Sequence, residues 1–154
     1  MLQPFKIYRS FFITALVFLV ISFVVGRETI DLHLHDTYFV IAHAQLYACF
    51  AAFLVLVGLA CVAANRLLYS LRLSKLHISL TLFTTLALAI LLQVQPYLMK
   101  DVSSSGFNLS AMRWLDRVGL MIVLLFLLML ASQLLLITNI LLGLFKKIHI
   151  SKKS

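Results

Sequence analysis

The sequence predicts an all-α integral membrane protein, a four-helix bundle with both N- and C-termini in the cytoplasm. Three observations carry this expectation. Of 154 residues, 63% are hydrophobic and 12% charged, against about 45–50% and about 25% in soluble domains. The apolar residues gather into four stretches, each close to the roughly 20 residues that cross a bilayer core. The basic residues crowd alternate connections, as the positive-inside rule requires of a multi-pass chain. With a mean hydropathy of +1.08, the chain is excluded from the soluble, disordered and disulfide-scaffold classes. The formal net charge of +8 then reflects cytoplasmic loops rather than a nucleic-acid partner.

The spans are expected at about 10–26, 43–64, 77–99 and 118–145, in a single membrane domain covering 1–154. The outer connections are then 27–42 and 100–117. The first span follows Lys6 and Arg9 but has no small-x-small cleavage site before Arg27, so it is expected to remain as an uncleaved anchor. The second carries Cys49 and Cys61. Twelve helical residues separate them by roughly 18 Å, too far for a disulfide within one helix, and both read as small hydrophobes. The third ends near Gln93, Gln95 and Pro96, and Gln133, Thr138 and Asn139 interrupt the fourth. Such polar groups bond between helices, here more readily with a partner than along a transport path. No phosphate-binding loop, nucleophile triad or zinc motif is present.

Charge sets the orientation. Lys6, Arg9, Arg66, Arg72, Lys75, Lys146, Lys147, Lys152 and Lys153 fall on one side, nine of the 13 basic residues. All five acids, Glu28, Asp31, Asp36, Asp101 and Asp116, fall on the other. The basic side is therefore cytoplasmic. The outer connection 100–117 is read first as a plain interfacial turn; the alternative is a short helix capped by Asn108 or Ser110 and carrying Met112, Trp114 and Leu115. Trp114, Arg113 and Arg117 suit the headgroup level.

The first connection holds three of the five histidines, in Ile30-Asp31-Leu32-His33-Leu34-His35-Asp36-Thr37-Tyr38-Phe39-Val40-Ile41-Ala42-His43. The alternation over 31–34 predicts an extended or turn-like segment. A helix is expected from Thr37 or Tyr38, carrying His43 into the membrane. His35 and Asp36 at the outer surface are either a divalent-cation site, since a carboxylate beside an imidazole suits such an ion, or a solvated polar cap. His43 is either a metal or haem ligand or a histidine bonded to a neighbouring helix or to interfacial water.

The string from Leu34 to His43 resembles the signature of subunit I of haem-copper oxidases. There, leucine, histidine, aspartate, threonine, tyrosine, an aromatic, two aliphatics, alanine and histidine lead into the tenth helix on the outer side. Lys75-Leu76-His77 is similar to the start of that family's eleventh helix, and Leu109-Ser110-Ala111-Met112-Arg113 loosely resembles the loop before its twelfth. The resemblance implies that this chain corresponds to the last four helices of subunit I. It implies a magnesium or manganese site at His35 and Asp36, an axial haem ligand at His43, and a haem-propionate contact at Arg113. Two departures limit it. The family's second helix-ten histidine is here Gln45, and the copper histidines belong to helices this chain lacks.

Residues two apart on a helix point about 200° apart, so the change at Gln45 removes the ligand of one haem and leaves that of the other. Oxygen reduction by this chain alone is not expected, and no catalytic residue is assigned. Three functions stand. The first is a non-catalytic accessory or structural subunit of a respiratory or other membrane complex, bound to other subunits or to copies of itself. The second is a small haem- or metal-binding protein using His43. The third is part of a split terminal oxidase. The expected location is a bacterial inner membrane, with the lipid bilayer as the constant partner.

Overall fold

An apolar segment in lipid has no water to satisfy its peptide groups, so it closes its hydrogen bonds internally as a helix. The computed structural model shows this outcome along most of the chain; it describes residues 4–25, 29–34, 37–104 and 109–151. Four helices appear: α1 (Pro4–Val24), α2 (His43–Ala64), α3 (Leu71–Ser104) and α4 (Leu109–Ser151). Each is long and apolar enough to cross a membrane, so the chain is a multi-pass helical protein. At 34 and 43 residues, α3 and α4 reach about 51 and 65 Å at 1.5 Å per residue. Both exceed a hydrocarbon core of about 30 Å, so their ends emerge from it.

The structure departs from the sequence expectation in the first connection. No helix begins at Thr37. Thr37–Ala42 is instead a strand (β2), paired antiparallel with Thr29–Leu34 (β1), with Thr29 opposite Ala42 and Leu34 opposite Thr37. The residues Thr37, Tyr38, Phe39, Val40 and Ile41 are β-branched or aromatic, the types that favour a pleated strand over a helix. The extended reading of 31–34 agrees with β1. Helix α2 starts at His43, directly after β2.

The second departure lies in the outer connection 100–117. Residues 100–104 belong to α3, which runs on through Pro96, and 109–117 belong to α4. The alternative short helix is the beginning of α4 itself. There the guanidinium of Arg117 sits 5.8 Å from the centre of the exposed Trp114 ring.

The helices form two antiparallel pairs, α1 on α2 and α3 on α4, which meet more sparingly through α1 and α3. Different forces hold each pair. Between α1 and α2, small residues let rings approach: Ala15, Ala51 and Gly58 are buried beside Phe11, Phe18 and Tyr47. A Cβ at Gly58 would sit 3.1 Å from the Phe12 ring. Phe18 stacks on Tyr47 at 5.9 Å between ring centres. Between α3 and α4 the buried residues include Ser74, His77, Thr81, Thr84, Thr85, Ser132 and Asn139, a polar seam. The pairs join where the Phe11 ring lies 6.0 Å from the His77 ring.

Candidate functional site

Two polar foci occupy the helices, one at the start of α2 and one along the α3–α4 seam. His43 opens α2 and turns inward, 3% exposed, on the face that one turn later carries Tyr47. Ser22 of α1 donates to the Ala44 carbonyl at 2.8 Å, and Tyr47 donates to Gln93 of α3 at 2.9 Å. These bonds lock the first turns of α2 against both neighbours. Among the described residues, neither ring nitrogen of His43 has a hydrogen-bond partner. Gln45 is exposed on the opposite side, as the 200° rotation demands.

His35 and Asp36 lie outside the described residues, between Leu34 and Thr37. Arg113 is exposed on the second turn of α4, a helix that packs on α3 rather than on α2. Among the described residues, no group of three or more histidine, cysteine or acidic side chains is placed to hold a metal ion. Cys49 and Cys61 are both free thiols.

The seam is the more developed arrangement. His77 Nδ1 lies 2.8 Å from the Ser132 carbonyl oxygen. A carbonyl only accepts, so Nδ1 carries the proton, and the neutral ring leaves a lone pair on Nε2. That atom is buried with no partner. Ser132 donates to the Met129 carbonyl at 2.6 Å, which makes its oxygen the acceptor for the Thr81 hydroxyl at 2.8 Å. Gln133 Nε2 donates to Ser132 Oγ at 3.0 Å and Thr81 Oγ1 at 3.3 Å. Thr85 and Thr84 return their protons to the carbonyls of Thr81 and Leu80 at 2.7 and 2.8 Å, the usual resort of a threonine inside a helix.

Toward the α2–α3 connection the seam ends in a clamp. The Asn139 amide donates to the Ser70 carbonyl at 3.0 Å and accepts from the Ser70 N–H at 2.9 Å. The same Nδ2 donates to Ser74 Oγ at 3.0 Å. The Asn139 carbonyl accepts from Tyr69 N–H at 3.2 Å. One turn on, the connection lies so close to Gly143 that a Cβ there would fall 1.7 Å from the Leu67 carbonyl oxygen. Only glycine admits that approach.

The expectation that Gln133 and Asn139 bond between helices is met within the chain: both bond to α3 or the segment before it. Thr138 is exposed and donates to the Leu134 carbonyl at 2.7 Å. The clamp left a legible trace, an asparagine four residues before a glycine on one helix face. Nothing at the sequence level tied that face to residues 67–70.

The two orphaned histidines cannot share one ligand. Phe11 touches both His77 and the Gly58 position, which sets His77 level with Gly58. Fifteen residues of α2 separate Gly58 from His43, about 22 Å. No protein-family model matches the chain, and neither a curated protein nor a solved structure matches it. The four long apolar helices define a class, multi-pass helical membrane proteins.

Proposed function

We propose that this chain is a non-catalytic integral membrane protein, an accessory or structural subunit of a respiratory or other membrane complex. We place it in a bacterial inner membrane, with both termini in the cytoplasm as the basic residues direct. One observation carries the reading. The polar side chains of the seam, from Ser70 through His77, Thr81 and Ser132 to Asn139, bond to one another across α3 and α4. They are committed to joining helices. The outward face of α4 is left apolar, with Leu120, Leu124, Leu127, Leu134 and Leu141 exposed, and suits lipid or a neighbouring subunit. In this account the resemblance to subunit I marks an origin, and the segment 29–42 caps the first helix pair. Gentle extraction and sizing of the native complex tests it. A mass well above the 17.4 kDa chain plus detergent, with partner proteins in fixed proportion, is expected; a bare monomer contradicts a subunit role.

A second reading is favoured by His43, whose two buried nitrogens lack partners among the described residues. It is a haem held at an interface with another chain. The His43 imidazole is the side chain that would hold such a group, and a haem bound there would supply one-electron chemistry. The chain's own contribution is a buried nitrogen at a fixed point of α2. Neither Gln45, which faces away, nor His77, at the other end of the helices, would join His43 in holding it.

A further inference from the structure

The end of the molecule at the α2–α3 connection is basic and greasy at once. Arg9, Arg66, Arg72, Lys75, Lys146 and Lys147 are all exposed there. Apolar side chains alternate with them. Leu71, Leu76, Phe145 and Ile148 are each more than half exposed, beside Arg72, Lys75, Lys146 and Lys147 in the chain. The Asn139 clamp fixes this geometry by tying the connection to α4. Lys146 Nζ then stands 5.4 Å from the centre of the Tyr69 ring. Residues 144–151 continue α4 beyond Gly143, the level at which the connection crosses it.

Among the described residues, no acid lies in the elements that form this end. The described acids Asp31, Asp101 and Asp116 sit in β1, the last turns of α3 and the first turns of α4. Arg72 and Asp101 are 29 residues apart on α3, about 44 Å, several times a Debye length of roughly 8 Å in physiological salt. Nucleic acid would meet the charges but leave the interleaved leucine and phenylalanine in water. A phospholipid meets both, with its phosphate on the basic groups and its acyl chains on the apolar ones.

We propose that this end is a binding surface for anionic phospholipid headgroups, with Arg66, Arg72, Lys75 and Lys146 holding the phosphates and Tyr69, Leu71 and Phe145 lying against the chains. It selects anionic over zwitterionic lipid in the leaflet that surrounds it. The proposal does not depend on what complex the protein joins.

The test uses the full chain, made without cells so that membrane insertion does not bias the variants. It is placed in mixed micelles containing equal phosphatidylglycerol and phosphatidylcholine, and retained lipid is counted by native mass spectrometry. The wild-type chain is expected to retain several-fold more phosphatidylglycerol, a preference that shrinks in high salt. The combined R66Q, R72Q, K75Q and K146Q variant is expected to lose it, at up to about fivefold per charge at low salt. These side chains are exposed, so folding is not at stake; the melting temperature in neutral detergent checks this. Arg113→Gln with Arg117→Gln, at the opposite end, is the control and keeps the preference. Equal retention of the two lipids by the wild type, or loss of the preference in the control alone, overturns the proposal.

Discussion

Asn139 grips the backbone of Ser70 with both ends of its amide, donating at 3.0 Å and accepting at 2.9 Å. A buried side chain thus replaces the partner strand that residues 69 and 70 lack, and it joins a connection to the middle of α4. Replacing it with leucine keeps the branched shape but strands the Ser70 N–H, while the Ser70 carbonyl still accepts from Ser74. Unsatisfied backbone groups cost about 1–3 kcal/mol each, whereas interhelical bonds in lipid average only about 0.6 kcal/mol. The first figure governs at a buried backbone, so Asn139→Leu is expected to cost about 2 kcal/mol. Unfolding in graded SDS, read by circular dichroism, checks it.

Gly143 is expected to be the less forgiving position. Valine there would drive its Cβ into the Leu67 carbonyl, which is backbone and cannot swing aside. Overpacking of this kind costs about 1–3 kcal/mol, and here the upper end applies because two backbones meet. Gly119, whose Cβ would meet nothing, is the control. The same SDS titration should separate Gly143→Val sharply from Gly119→Ala.

His77 is expected to be a neutral imidazole with its proton on Nδ1. Its Nδ1 faces the Ser132 carbonyl and its Nε2 has no acceptor for a second proton. Nitrogen-15 spectra of histidine-labelled protein in detergent distinguish the protonated from the bare ring nitrogen. A proton found on Nε2 would remove the His77–Ser132 bond from the account.

The register of the hairpin can be read by cross-linking. Asp31 stands opposite Val40, close enough for a disulfide when both are replaced. The pair D31C and V40C, with Cys49→Ala and Cys61→Ala to clear the background, should oxidise readily. D31C with I41C, one residue out of register, should not, since a slip by one turns the side chain to the other face.

How much the sequence disclosed follows from which forces act locally. Four spans were legible because hydrophobic length is a local property, and α2 begins and ends where the apolar run does, at His43 and Ala64. The strand Thr37–Ala42 was misread as helix because its apolar run was joined to the span behind it, although its β-branched and aromatic residues pointed otherwise. That His43 and Gln45 point to opposite sides follows from helix geometry alone; that His43 is the buried one does not. The seam did not follow. Gln133 and Asn139 announce a polar contact somewhere, but their partners Thr81 and Ser70 lie 52 and 69 residues away, a separation that no periodicity encodes.

His43 separates the two functional readings by stability as well. Its nitrogens form no hydrogen bond among the described residues, and replacing an unpaired buried polar group with an apolar one of similar size is neutral or stabilising. In the structural account His43→Leu is expected to leave the melting temperature of the isolated chain unchanged or raise it. If His43 instead ligates a cofactor in the purified protein, the same change should lower it.

The most direct measurement is the absorption spectrum of gently purified protein, oxidised and then reduced with dithionite, together with its iron content. The account of a non-catalytic membrane subunit predicts no Soret band and no iron bound in proportion to protein. A Soret band in near-stoichiometric amount, lost in His43→Ala, would contradict it and make His43 the centre of a haem protein.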